Sequence, residues 1–307
     1  MRVSEAFAYH VIAVAQRTPF RGTELESKLS SEQQNDSVAS CFPQAYEERR
    51  RADDFFEFFP EALKPRQFLS GKTVLDFGCG YGGRTVAYAE RYNAEEVIGV
   101  EVFRNVVGLC QEFAAHLNAH RCQFLLSTQE SIPLPDSSID IVVSYDVFEH
   151  VEDPQQSAKE IHRVLKPGGK VLVVFTPFYG AFSHHLNFAT RLPGLHWIFR
   201  PQTLVAAVNR FQHSHADRAT TKPLPPPLRS YGNRRWSIPT INGMTSQEFL
   251  SLLKDFNILY VNATPLLSKF RILGRLGAMI NGLFSSPYSA WGEAVSFNLV
   301  CILEKPH

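Results

Sequence analysis

The stretch Val74-Leu75-Asp76-Phe77-Gly78-Cys79-Gly80-Tyr81-Gly82-Gly83 decides the fold. Val74–Phe77 is a short apolar strand interrupted by one carboxylate. A glycine-rich turn follows, and Arg84–Tyr92 then has helical spacing. The glycines satisfy both G-x-G-x-G and G-x-G-x-x-G. Alone that pattern is weak, because such turns arise wherever a backbone passes close to a ligand. A strand before it and a helix after it give it the setting of a nucleotide site.

Outward from this turn the chain keeps alternating. Val97–Val100 is a second strand, ending in Glu101, and Val106–Asn118 has helical spacing. Gln123–Leu126 and Ile139–Ser144 are further strands. Asp153-Pro154 supplies an N-cap and a first-turn proline for a helix to about Leu165. Lys166-Pro167-Gly168-Gly169 stops that helix, and Lys170–Thr176 is a fifth strand. Ser246–Asp255 is a helix capped by Thr245 or Ser246. Phe256–Thr264 and Ala294–Glu304 are the closing strands. Strands alternating with helices predict a doubly wound, Rossmann-like α/β fold. The sheet is expected to be seven-stranded and mostly parallel, with an antiparallel last strand. Nearly continuous apolar strands fit burial on both faces.

The flanks are less regular. Residues 1–22 suit a short helix, 23–40 a polar loop, and Tyr46–Phe59 a helix with Arg49–Arg51 on its solvated face. From 178 to 244 the alternation lapses into aromatics and prolines. A loop of that length inside a compact domain is usually functional, and it is read as a substrate-cap insertion. The division expected is 1–70 as an N-terminal arm and helices, 71–177 with 245–307 as the core, and 178–244 as the cap.

Composition narrows the class. Of 307 residues 44% are hydrophobic and 20% charged, which suits a globular protein with a large core. A net charge of +1 argues against nucleic acid as a partner. The five cysteines (Cys41, Cys79, Cys110, Cys122 and Cys301) are odd in number and form no Cys-x-x-Cys pair. They read as reduced thiols in the cytoplasm, and no metal is expected. No apolar run reaches the ~18 residues of a membrane span, so stable membrane insertion is not expected. The apolar stretch 265–292, with Lys269, Arg271 and Arg275, reads as a packed lid before it reads as a membrane contact. A homodimer is left open.

Two carboxylates speak to the ligand. Asp76 would repel a pyrophosphate bound at this turn. It suits a nucleoside that carries positive charge and no phosphate. Glu101, at the end of the second strand, is placed to accept the two ribose hydroxyls.

Val74–Gly82, Val97–Glu101, Ile139–His150 and Val164–Val174 together resemble the class I S-adenosylmethionine-dependent methyltransferases. They are most similar to the branch of the ubiquinone and menaquinone biosynthesis enzymes. The resemblance covers about residues 70–177, and it implies S-adenosylmethionine as cofactor. In that family an Asp-Ala pair after the third strand contacts adenine. Here Thr128-Gln129 stands instead, so Gln129 or Glu130 is expected to supply that contact. The cofactor site is then Asp76, Gly78, Cys79, Gly80, Glu101, Val102, Gln129, Glu130 and Tyr145.

Methyl transfer is an in-line displacement in which the protein mainly positions the acceptor. A hydroxyl acceptor also needs a general base. The fourth strand runs out into Asp146-Val147-Phe148-Glu149-His150, at the end of the sheet where ligands bind. His150 is the first candidate base and Glu149 its neighbour. Asp146, Glu149 and His150 also admit a structural or a metal-ligating reading. Beyond the fifth strand, Tyr179, His184, His185 and Asn187 reach the same rim, with His184 taken as the catalytic member. Phe178, Tyr179, Phe182, Phe188, Trp197 and Phe199 line a lid or fill a minor core. Arg229–Arg235, with Tyr231 and Trp236, read as a solvated loop before an anion grip. The function expected is methyl transfer to a small aromatic or lipophilic acceptor, oxygen narrowly preferred. A non-catalytic S-adenosylmethionine-binding protein and a nicotinamide-dependent oxidoreductase are the alternatives.

Overall fold

The computed structural model describes residues 5–16, 42–186, 189–214, 241–265 and 288–307. The strands are β1 (Thr73–Phe77), β2 (Glu96–Glu101), β3 (Cys122–Leu126), β4 (Ile139–Tyr145), β5 (Leu165–Phe175), β6 (Asn257–Pro265) and β7 (Ser296–Glu304). They form one sheet in the order β3-β2-β1-β4-β5-β7-β6. The five strands β1 to β5 run parallel, and β7 lies antiparallel between β5 and β6. The direction of winding reverses between β1 and β4. In open α/β sheets that reversal leaves a crevice beyond the carboxyl ends of the two strands.

The helices are α1 (Glu5–Ala15), α2 (Pro43–Arg50), α3 (Gly83–Arg91), α4 (Arg104–His116), α5 (Pro154–Val164), α6 (Leu195–Ile198), α7 (Pro201–Ser214), α8 (Ser246–Leu252) and α9 (Ala290–Ala294). Strand side chains alternate between two cores. Leu75, Val142, Val173 and Leu299 meet α5 and α8 on one face. Val74, Val143, Val174 and Val300 meet α3 and the Phe55–Phe56–Phe59 group on the other. The caps expected at α5 and α8 are present: Asp153 accepts from Gln156, and Thr245 forms a capping box with Glu248.

Three expectations need correction. The single helix over Tyr46–Phe59 is two elements: α2 ends at Arg50, and Ala52–Phe58 is a tighter 3-10 turn. The tighter winding lets the adjacent Phe55 and Phe56 both be buried under the sheet. Lys166-Pro167-Gly168-Gly169 belongs to β5 and does not lie between helix and strand. A register shift opposite Ile139 and Ile141 accommodates it, and the amide of Gly168 and carbonyl of Gly169 pair with Lys305. Finally, 1–70 is not one unit. Helix α1 packs with α6 and α7 through Ile12, Leu204, Val208 and Phe211. Helix α2 instead packs on the glycine turn. The insertion is thus partly helical, and the first helix shares its core.

Asn187, Phe188, Arg229–Arg235, Tyr231 and Trp236 lie outside the described residues, as does most of 265–292. Among the described residues no helix is long and apolar enough to cross a membrane.

The β3–β4 connection is tied down by Arg163 in the last turn of α5. Its guanidinium donates to the carbonyls of Ile132 (2.9 Å) and Leu134 (2.8 Å) and to the carboxylates of Asp136 and Glu160. Arg163→Met keeps the stem and strips these bonds. It is expected to lower unfolding free energy by about 2 kcal/mol, read from the urea midpoint.

Candidate functional site

The crevice is built on the turn between β1 and α3. The amides of Gly78 and Cys79 both donate to the carbonyl of Val100 at 3.1 Å, which bends the chain off β1. Gly78 has φ of 74°, and a Cβ there would stand 2.5 Å from a methyl of Val147. Gly83 has no room either: a Cβ would come 1.9 Å from the carbonyl oxygen of Ala45 in α2. The second glycine constraint therefore comes from a helix more than thirty residues upstream.

That helix also closes the turn electrostatically. The carboxylate of Glu48 accepts from the amides of Tyr81 (3.2 Å) and Gly83 (3.1 Å). The first lies in the turn and the second is the first amide of α3, two of the groups that would face a phosphate in a dinucleotide site. Here a protein carboxylate holds them.

Asp76 is buried at the end of β1, and its Oδ2 accepts from Thr85 Oγ1 at 2.7 Å. Burial raises its pKa, while Arg84 and the Thr85 hydroxyl oppose the rise. Glu101 ends β2 half-buried and accepts from the amide of Val102 at 2.7 Å. Val102 is exposed beside it. The side chain of Cys79 is packed among Val86, Cys110 and Phe124, so only its backbone faces the crevice. Gln129 and Glu130 sit in the turn after β3, where Thr128 Oγ1 accepts from the amides of Glu130 and Ser131. Tyr145 ends β4, packed by Phe55 and Phe58, with the guanidinium of Arg84 5.0 Å from its ring centre.

On the acceptor side the two adjacent histidines are placed differently. His184 is fully buried and accepts from the amide of Leu186 at 3.0 Å, while its Nε2 pairs with the carbonyl of Leu192 at 2.8 Å. Both nitrogens are used to fold the segment. His185 adopts φ of 50°, which turns its ring to face His150 at 4.9 Å. Donor atoms of Glu149, His150 and His185 lie within 4.8 Å of one another, a set that could hold a divalent cation. Among the described residues neither carboxylate oxygen of Glu149 has a well-formed hydrogen bond, although the backbone and hydroxyl of Thr176 stand close enough to oppose the rise in its pKa. Burial, then Asp146, raises its pKa well above the usual range. Burial lowers that of His185 to about 3, helped by the neighbouring histidines.

Three contributors escaped the sequence reading: Glu48, Arg84 and Asn242. Asn242 lies just after the insertion. Its Nδ2 donates to the carbonyls of Phe148 (2.7 Å) and Val151 (2.8 Å), pinning the loop that carries Glu149 and His150. An open cleft of about 530 Å³ runs beside this region, lined by Phe178, Tyr179, Trp197 and Arg200 among others. Phe178 also borders the closed space around Glu149 and His185, so the two adjoin.

A doubly wound sheet of this order, with an acid on either side of a glycine turn, defines the nucleoside-binding domain of class I methyltransferases. Residues 75–173 match the family described as "Methyltransferase domain". An uncharacterized methyltransferase of Bacillus subtilis, YcgJ, is 33% identical over 130 residues, which is 41% of this chain and 51% of that protein. A probable S-adenosylmethionine-dependent methyltransferase of Mycolicibacterium smegmatis is 38% identical over 118 residues, 37% of this chain and 41% of that one. Phosphoethanolamine N-methyltransferase 3 of Arabidopsis thaliana is 32% identical over 111 residues, 36% of this chain and 21% of its own length. The matches thus span about half or less of these relatives.

The buried imidazoles make stability depend on pH. His184 has its pKa lowered to about 4 by burial. Below about pH 6.5 the unfolded chain takes a proton there that the folded chain refuses until about pH 4, so stability falls on acidification. One such group contributes up to about 1.4 kcal/mol per pH unit in that window. Urea unfolding at pH 7, 6 and 5 should give a steeper loss for the wild type than for His184→Gln; parallel slopes would refute it.

Proposed function

We propose that this protein transfers a methyl group from S-adenosylmethionine to a small acceptor held against the rim formed by β4, β5 and the insertion. The observation that carries the reading is the capture of the α3 amides by Glu48. With the Tyr81 and Gly83 amides engaged, and Asp76 beside them, a diphosphate at the turn meets two carboxylates against the single guanidinium of Arg84. A cationic nucleoside meets complementary charge there. The donor set fits S-adenosylmethionine for that reason, and it disfavours a nicotinamide dinucleotide.

Within this reading Asp76 faces the amino-acid end of the cofactor and Glu101 holds the ribose hydroxyls. Val102 and the turn after β3 flank the base, with Gln129 or Glu130 contacting its edge. The backbone of Gly78, Cys79 and Gly80 forms the floor. When bound, the cofactor supplies an electrophilic methyl group on a sulfonium. The chain's own part is to orient the acceptor, exclude water, and hold or accept a proton.

The acceptor side favours a small aromatic or lipophilic molecule. Phe178, Tyr179 and Trp197 offer an apolar wall, and the cleft along them adjoins the His150–His185 pair. His185, with its depressed pKa, is neutral at pH 7, and His150 beside it is the more exposed of the two. A neutral imidazole at the rim can take a proton from a hydroxyl, which keeps oxygen slightly ahead of nitrogen or carbon as the methylated atom. His150 is the base in this scheme and His185 its orienting neighbour. Glu149, held protonated by burial, supports the loop and does not act as a base. The regions 178–244 and α1 serve as the cap.

Two measurements test these roles. Calorimetry with S-adenosylhomocysteine should show binding to the wild type. Asp76→Asn and Glu101→Gln should each weaken it by tenfold or more, as expected for a lost hydrogen bond to a charged group. Unchanged affinity in both variants removes the cofactor assignment. His150→Ala should leave that affinity within about twofold and slow turnover by about 10²-fold or more; wild-type turnover with a hydroxyl acceptor would end its candidacy as base.

A further inference from the structure

Arg84 is the one ionised side chain at the turn that the roles above leave unused. It opens α3 directly after the glycines. Its guanidinium lies over the ring of Tyr145, 5.0 Å from the centre, and makes no hydrogen bond or ion pair with any described residue. Yet it sits in the field of Glu48, Asp76 and Tyr145, and it is half-buried. A guanidinium carries five donors in a planar fork, and leaving them unmet away from bulk water is costly. The Tyr145 ring covers one side of the group, and its donors have no hydrogen-bond partner among the described residues.

The charges around the crevice set what that edge can meet. Glu48, Asp76 and Glu101 are acidic, and the amides of Tyr81 and Gly83 already serve Glu48. An α-amino acid group brings one ammonium and one carboxylate. Asp76 suits the ammonium. At the start of α3 the carboxylate meets Glu48, which already takes the Tyr81 and Gly83 amides, and it would be repelled by all three acids. Arg84 is the remaining donor of opposite sign. Its fork matches a carboxylate in bidentate geometry, which a lysine would not.

We infer that Arg84 binds the α-carboxylate of the cofactor's amino-acid end and so makes the site selective for nucleosides that carry a complete α-amino acid. The inference rests on the S-adenosylmethionine reading above. Glu48 contributes by taking the Tyr81 and Gly83 amides, and Tyr145 by covering one side of the guanidinium.

The test compares two neutral thioethers by calorimetry: S-adenosylhomocysteine, and S-adenosyl-3-thiopropylamine, which lacks only the carboxylate. Adenosine serves as a control that reports a folded crevice. The wild type should prefer S-adenosylhomocysteine by tenfold or more, consistent with a charged hydrogen-bonded pair. Arg84→Met retains the stem over Tyr145; it should bind adenosine as the wild type does and lose the preference to within twofold. Arg84→Lys should keep part of it. A preference that survives in Arg84→Met overturns the inference. So does an equal loss for both thioethers, which is what a purely structural counter-ion would give. Failure of the wild type to bind either thioether would instead strike the cofactor reading itself.

Discussion

The bond from the α3 amides to the carboxylate of Glu48 is the contact on which the crevice depends. It joins a helix from the N-terminal region to a turn of the sheet domain, and it does so at the positive end of a helix dipole. Its geometry is unforgiving. The carbonyl of Ala45 lies where any side chain at residue 83 would begin, so α2 can seat only against a glycine. Seated there, α2 walls one side of the crevice and brings the Glu48 carboxylate to it. Without it, the turn would present open amides and read as an ordinary phosphate cradle.

Much of this was legible from residues 70–177, because buried parallel strands carry their own signal. Val74–Phe77, Val97–Val100 and Ile139–Ser144 are apolar almost throughout, and each is punctuated by a turn or a cap. Asp76 and Glu101 could be placed because strand ends are fixed by such punctuation. What escaped notice depends on chain return. Glu48 reaches the glycine turn from outside the alternating pattern, and Asn242 reaches the β4 loop from beyond the insertion. Neither has a local spacing that betrays its partner. The choice between His184 and His185 was beyond any pattern: it rests on one left-handed residue that reverses which imidazole faces the rim. Lys166-Pro167-Gly168-Gly169 misled for the opposite reason. Its residues spell a stop, but Lys305 supplies the pairing that makes them a strand.

The insertion and the first helix carry a related lesson about layers. Ile12, Leu204, Val208 and Phe211 make a small core separate from the two that sandwich the sheet. A segment with its own core can be held against the sheet by few bonds. Here the described ties are polar and specific: Asn242 to the Phe148 and Val151 carbonyls, and the buried Glu293 to the amides of Tyr179 and Ser246. Each satisfies backbone groups that would otherwise be stranded where irregular chain meets the sheet edge. The cap is thereby registered to the loop that carries Glu149 and His150, so the acceptor rim and the cap keep a common frame.

The two sides of the crevice differ in how burial is opposed. At the β1–β2 end burial raises the pKa of both Glu48 and Asp76, and partners oppose the rise: Arg84 and two amides at Glu48, Arg84 and Thr85 at Asp76. At the β4–β5 end burial suppresses charge, lifting Glu149 toward its acid form and holding His185 as the free imidazole. Of the three side chains gathered there, His150 is exposed, His185 partly so and Glu149 buried. In the proposed reaction a proton released by an acceptor leaves through His150 to water, because burial opposes charge on its two neighbours.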